Sequence, residues 1–535
     1  MDARRFVSRG DDRGMALMTV LMSMFILSLF LVLGLGAVVK NTSLSRQTQD
    51  VTTATAAAQA GVDNFLQQLN DNFTFFNGVV IGAWGPALTG GGWTTIQGTG
   101  DSTFQYRYMV IRTDDGLVQV RLEGRSSNGD TGAVSQTSAL NATYQRRGFL
   151  SYVYLSDVEV IDPALVGANA ACGAYYYGGR SSRTDCSNIQ WGAGDVVNGP
   201  LHSNDALQVN GATQFKGATT TAWPAAQGKD GLTNSTKTWW GTESAPLPVN
   251  PPLYDTVLTL PTSNDKVRSA VSPDVDGDAS TPAGSGCYYT GATRIILQGT
   301  TMKVLSPATV RSDIPARCYN RLTPGVEQTV NIPPVIYVDQ ATTTCALSAT
   351  GYPLAGETYT TGTATATSWG KSPNYNCARG TVYIKGTSSV ALTVAAKNDV
   401  VIAGNLSVAD TSSSSIQVMG LIAENYIWVS HPISGSSNML SGSQQVNTIN
   451  AGILALGRSF VVQNWDAGNP LGTLNVTGAI AQKFRGAVGT SSGGTAVTGY
   501  LKNYVYDSRL AVLQPPSFLE SGNVWKLVTT VTAAK

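Results

Sequence analysis

The segment Met15 to Val39, MALMTVLMSMFILSLFLVLGLGAVV, decides how the rest of the chain reads: it runs for twenty-five residues without a charge. As an α-helix rising ~1.5 Å per residue it spans ~37 Å, enough to cross a bilayer. Arg4, Arg5, Arg9 and Arg13 precede it, whereas the first basic residues after it are Lys40 and Arg46. That asymmetry holds the N-terminus in the cytoplasm and sends the rest of the chain outside. A secretory signal carries a shorter apolar run, roughly 7–15 residues, ahead of a small-residue cleavage site. Downstream, no Pro or Gly interrupts Ala37 to Ala60, and Leu44, Val51, Ala54 to Ala58, Val62, Phe65, Leu66 and Leu69 give the continuation one apolar side. The expectation is a single helix, with 15–39 in the membrane and 40–71 projecting from it.

Composition agrees with an exported body. Only 13% of the 535 residues are charged, and Lys+Arg 35 against Asp+Glu 34 leaves a formal charge of +1. The polar surface must therefore come from Ser, Thr, Asn and Gly, and electrostatics offers no reason to expect a nucleic-acid partner. The six cysteines, Cys172, Cys186, Cys287, Cys318, Cys345 and Cys377, form no CxxC pair, and only His202 and His431 could join them around zinc. Disulfides suit such a chain better. Closing short loops costs least entropy, which favours 172 with 186, 287 with 318, and 345 with 377; buried free thiols are the alternative.

Past the helix, Phe104 to Arg112 and Leu117 to Leu122 alternate around the turn Thr113-Asp114-Asp115-Gly116 and read as a hairpin, with a third strand at Ala133 to Tyr144. Residues 72–150 are thus a small antiparallel sheet against the projecting helix. Residues 151–535 form a large β-rich domain with insertions. In it Gly420-Leu421-Ile422-Ala423, Gly452-Ile453-Leu454-Ala455 and Gly478-Ala479-Ile480-Ala481 recur at intervals of 32 and 26 residues, each followed by a second apolar run at Ile427, Phe460 and Phe484, and Val400 to Gly404 begins the series. Such spacing fits rungs of a right-handed parallel β-solenoid in which each coil covers the next; a β-sandwich is the alternative. The fold class expected is mainly β with a long N-terminal α-helix.

The leader Arg13-Gly14-Met15-Ala16-Leu17 resembles that of type IV prepilins, and Ala56-Ala57-Ala58-Gln59-Ala60-Gly61-Val62 resembles the AAEAG stretch of PilX-type minor pilins. The resemblance implies that residues 1–14 are a basic leader, that a prepilin peptidase cuts between Gly14 and Met15, and that Met15 becomes the methylated terminus. Major pilins carry Glu at the fifth mature position, and here that position is Thr19. An unpaired charge in hydrocarbon costs several kcal/mol, so the missing Glu argues against packing throughout a filament shaft. A plain uncleaved membrane anchor is the other reading. The body also resembles large PilX-like surface proteins of Gram-positive, particularly actinobacterial, genomes, through Asn198 to Asp205, Gly286 to Ile295, Gly478 to Gly486, and Gly499 to Leu510 before Pro515-Pro516.

Motifs with chemistry are few. His202-Ser203-Asn204-Asp205 holds the residue types of a nucleophilic triad, but neighbours on a strand point to opposite faces and no GxSxG elbow is near, so a polar turn at a rung corner is the better reading. His431, before Pro432, reads the same way. Asp195, Asp205 and Asp507 are candidates for a carboxylate pair of a tethered carbohydrate-active enzyme, or for turn residues that bond backbone amides. Asp274, Asp276 and Asp278 around Gly277 crowd carboxylates as calcium loops do, without the distal Glu of an EF-hand; a solvated turn is the alternative and no other cofactor is expected. Tyr175, Tyr176 and Tyr177, with Arg180 and Arg183 between Cys172 and Cys186, form either an adhesive loop or a buried aromatic cluster. The expected function is a minor pilin-like component of a type IV pilus or related filament system, possessing no enzyme activity. Its partners are other pilins through the helix, the prepilin peptidase, the pilus assembly platform and, before assembly, membrane lipid. The alternatives are a surface protein tethered independently of pili, and the tethered enzyme.

Overall fold

The computed structural model describes residues 13–71, 81–85, 92–96, 102–114, 117–128, 134–146, 148–192, 195–209, 213–223, 239–240, 252–271, 286–310, 317–320, 323–342, 345–346, 349–357, 371–434, 438–511, 513–519 and 525–533. Two compact units emerge. One comprises Met1–Thr113, Leu117–Gln145 and Trp525–Lys535, the other Asp114–Gly116 and Arg146–Val524.

The first unit is built on one helix, α1 (Arg13–Asp71), and an antiparallel sheet of β1 (Trp84–Gly85), β2 (Thr94–Ile96), β3 (Ser102–Asp114), β4 (Leu117–Asn128) and β5 (Val134–Arg146). Strand alternation puts Val118, Val120 and Leu122 opposite Tyr144, Ala142 and Leu140 on the inner face. Ala54, Ala57, Ala58, Val62, Phe65 and Leu69 of α1 are buried against that face. Burying each of the larger three contributes roughly 1.5–3 kcal/mol. The run of small residues has a steric cause: a Cβ on Gly124 would lie 2.1 Å from Ala54 O and 2.3 Å from Ala58 N, so β4 rests on the helix backbone itself. Gln59, by contrast, is exposed.

A sixth strand of this sheet comes from the far end of the chain. Trp525–Thr532 lies beside β5, Ala533 N donates to Ala139 O at 2.9 Å, and the Asn70 amide both accepts from Trp525 N (2.7 Å) and donates to Trp525 O (3.3 Å). Residues 525–535 thus group with the helix–sheet unit rather than with the β-domain of 151–535, because the edge of β5 offers backbone partners that local patterning cannot reveal.

The second unit is a mixed, mostly parallel sheet, laid down in columns of aligned side chains. One column runs Cys287, Ile336, Val394, Leu421, Ile453, Ile480, Tyr154, Leu201 and Thr219. A second runs Ile295, Ile384, Ile402, Val429 and Val462, and a third Leu406, Ile449, Val476, Tyr504, Val197 and Phe215. Strands such as Val335–Asp339, Leu392–Ala396 and Met419–Ala423 are buried at every position, as parallel strands covered on both faces must be. Thr293–Gly299, Thr301–Leu305 and Gln328–Asn331 form an antiparallel exception.

Two expectations change here. Val400 pairs with Ile427, so its strand belongs with the second apolar runs rather than opening the Gly420 series, and Phe484 ends the same strand that contains Gly478. More consequentially, the columns do not follow chain order. After Ile480 and Tyr504 the next partners are Tyr154 and Val197, so the first segment of the body pairs with its last. All three disulfides join sequence neighbours: Cys172–Cys186, Cys287–Cys318 and Cys345–Cys377.

Candidate functional site

Gly14 and Met15 lie in the first turn of α1. From Leu17 to Val38 the large apolar side chains are exposed on all sides of the helix, and an 18-residue window of mean hydropathy 2.6 buries nothing within the protein. Its hydroxyls turn inward. Thr19 donates to Ala16 O at 2.9 Å, Ser23 to Val20 O at 2.9 Å and Ser28 to Phe25 O at 2.8 Å, which satisfies each polar group within the helix and leaves an apolar cylinder.

The Cys172–Cys186 loop is fastened from below by its tyrosines. Tyr175 OH donates to Asp157 Oδ1 (2.6 Å), Tyr177 OH donates to Asn204 O (2.9 Å), and Tyr176 N donates to Asp205 Oδ1 (2.6 Å) while its ring meets Trp223 edge-on. All three side chains are half-buried. Burial, reinforced by the Asp157 carboxylate, holds the Tyr175 hydroxyl far above its ordinary range. Arg180 is fully buried, pairing with Asp205 Oδ2 at 2.7 Å and donating to Ala174 O and Asn188 Oδ1. Desolvation raises the Asp205 carboxyl above its usual value even against Arg180 and the amides of Tyr176, Glu159 and Ala206. Arg183 instead pairs with Asp185 at the surface.

His202, Ser203 and Asn204 form the floor of this loop. The His202 ring lies 2.8 Å from Thr220 Oγ1 and 3.0 Å from Asn204 Oδ1, and Asn204 donates to Asp157 Oδ1 and Leu258 O. Ser203 Oγ accepts from Ser156 and from Asp205 N. Each group is held by a turn or a neighbouring strand. Asp195 pairs with Lys502 and Asp507 with Arg509, so the three carboxylates singled out in the sequence sit with three different cations. His431 is buried and follows Ile427–Val429, its Nδ1 3.2 Å from Gln463 O. Burial pushes its imidazole below the ordinary value. Asp274, Asp276 and Asp278 lie outside the described residues.

The strongest concentration of charge was not anticipated from the sequence: it lies where the first segment of the body meets the last. Lys483 pairs with Asp157, Arg485 with Glu159 at 2.8 Å, and Lys502 with Asp195 at 2.9 Å, all across this seam. Arg485 also lies 3.8 Å over the Trp191 ring and donates to Gln190 O. Gln482 donates to Tyr154 OH and accepts from Phe460 N. Three of the resembling stretches, Asn198 to Asp205, Gly478 to Gly486 and Gly499 to Leu510, thereby converge on one junction. The available signal was charge inside or just after apolar strands, Lys483 and Lys502 within them and Arg485 one residue past Phe484, in a chain with little charge to place.

No protein-family profile and no curated protein matches the chain. Among solved structures it is similar to the crystal structure of the competence-associated pilin ComZ from Thermus thermophilus, at 13% identity over 90% of this chain and 97% of that one, with a TM-score of 0.31, a value too low to establish a common fold.

Proposed function

We propose that the chain is a minor pilin-like component of a type IV pilus or related filament system, anchored by α1 and displaying the β-body outside the cell. The carrying observation is the division of one 59-residue helix into an apolar cylinder and a half whose small residues seat an antiparallel sheet. The leader Arg13-Gly14-Met15 and the three disulfides agree with it. The prepilin peptidase, neighbouring pilins, the assembly platform and membrane lipid are the partners this reading requires. The test is N-terminal peptide mass analysis of protein from its native host, wild type beside Gly14→Leu. A terminus at Met15 that vanishes in the variant is expected. An unprocessed terminus in both overturns the pilin reading in favour of a tethered surface protein.

We read the body as a right-handed parallel β-solenoid, supported by the three columns of aligned side chains, and as non-catalytic, supported by the separate pairing of Asp195, Asp205 and Asp507. Adhesion through the Cys172–Cys186 loop would use the outer edges of its tyrosines, since their inner groups anchor the loop. Electron cryomicroscopy of the full chain in detergent should resolve rungs about 4.8 Å apart in a single coil; two facing sheets would exclude the solenoid.

A further inference from the structure

At the seam, Lys502 and Asp195 meet under conditions that differ from an ordinary surface ion pair. Asn503 on Thr495–Tyr506 is the register partner of Val196 on Val196–Asn198, so the two residues just before them, Lys502 and Asp195, face each other across neighbouring parallel strands. Lys502 Nζ lies 2.9 Å from both Asp195 oxygens, and the side chains are 14% and 9% exposed. Trp191 lies 5.6 Å from the amine, while Tyr504 stacks on Tyr154 in the same core cluster. Gly192 N donates to Asp195 Oδ2 at 3.1 Å. The other seam pairs lack this combination: Lys483 is 38% exposed, and Arg485 presents a guanidinium rather than an amine.

We propose that Lys502 and Asp195 condense into an intramolecular amide, a covalent staple across the seam. Burial lowers the Lys502 amine below its ordinary value in spite of Asp195, and Arg485 pushes it the same way. In such surroundings the ammonium is penalised, and the reactive form is the neutral pair reached when one proton passes from Nζ to Oδ1. The Nζ lone pair then attacks Cγ, with the Gly192 N–H polarising Oδ2. The Cγ–Oδ1 bond breaks, and Oδ1 leaves as water carrying that first proton and a second one from Nζ. Ammonium and carboxylate become one amide N–H and one water, with no oxidant, cofactor or activated donor required. Proximity supplies the main advantage, because the two groups are held in contact by the register of the strands. The product would join residues 307 apart in sequence at a junction where the columns lack chain continuity among the described residues. The proposal is independent of how the N-terminus is processed.

Peptide mass spectrometry of the full chain, purified in detergent, denatured and disulfide-reduced, tests it. In the wild type trypsin should spare Lys502 and release a branched peptide joining its segment to that of Asp195, lighter than the sum of the two by one water. Lys502→Arg, which keeps the charge, and Asp195→Ala should each give only linear peptides. Asp195→Asn should give the same branched product as wild type, with ammonia leaving in place of water. Linear peptides alone from folded wild-type protein, cleaved after Lys502 and labelled by amine reagents at that residue, overturn the proposal; this reading needs no variant to fold.

Discussion

The helix–sheet unit and the β-body handle charge in opposite ways. Among the described residues, the only polar side chains buried in the first are Ser126 and Ser127, whereas the second buries Asp157, Glu159, Asp162, Arg180, Asp195, Asp205, Asp399, Arg485 and Arg509, among others. A two-layer unit with one amphipathic helix can turn every charge to solvent. A large, mostly parallel sheet with strands covered on both faces cannot, and its columns of Ile, Val and Leu are nearly interchangeable from strand to strand. Placing cation against anion at the seam makes one stacking order satisfy its charges where another would strand them, which is the kind of specificity that buried pairs can supply.

The sharpest way to break this contrast is Arg485→Met. It leaves Glu159 buried without its cation and is expected to cost the body about 3–5 kcal/mol, read by denaturant unfolding with a probe in the body. A loss under about 1 kcal/mol would mean the pair is incidental to the seam. In the helix–sheet unit the comparable lesion is steric. Gly124→Val sets a branched side chain where even a Cβ meets the backbone of Ala54 and Ala58, and about 3 kcal/mol or more should be lost. Hydrogen exchange should show β3 to β5 exposed while the body keeps its protection; equal loss in both units would contradict their separate cores.

A pH titration separates the units next. Asp399 is buried, and desolvation raises its carboxyl to about 6, against the Tyr426 amide and the Trp428 indole N–H that favour its ionised form. The folded state therefore holds a proton that the unfolded state releases, and stability falls as pH rises from about 4 to about 6, then levels. Roughly two units correspond to about 3 kcal/mol at most. Asp399→Asn should flatten this segment of the stability profile, and an unchanged slope would assign it to another group. Smallest is Asn70→Ala, which removes the two bonds between the Asn70 amide and the Trp525 backbone. About 1–2 kcal/mol should go from the helix–sheet unit, seen as faster exchange at Trp525 and Ala533; no change would show that the pairing with β5 and the burial of the Trp525 ring hold the strand without the Asn70 amide.

Much of this was legible in the chain. The uncharged apolar run and the stretch from Ala37 to Ala60 without Pro or Gly located α1, and alternation located β3, β4 and β5, because both are local consequences of backbone geometry. Loop entropy pointed to the three cysteine pairs that form. The parallel β-body was visible in the spacing of Gly420 and Gly452, which do pair in register. The His202 to Asp205 run reads from the sequence as a polar turn, whereas His202 and Ser203 lie in the strand Leu201–Ser203, and its place beneath the tyrosine loop was not legible, since Asp157, Thr220 and Leu258 reach it from elsewhere in the chain.

Sequence by itself thus determined the elements and their apolar faces, properties set within a few turns or strands. Tertiary structure alone decided that Trp525–Thr532 returns to the first sheet and that Tyr154 stacks on Ile480. Those choices depend on open strand edges and on which charges find each other across hundreds of residues. Neither an edge nor a seam exists until the chain has folded around it.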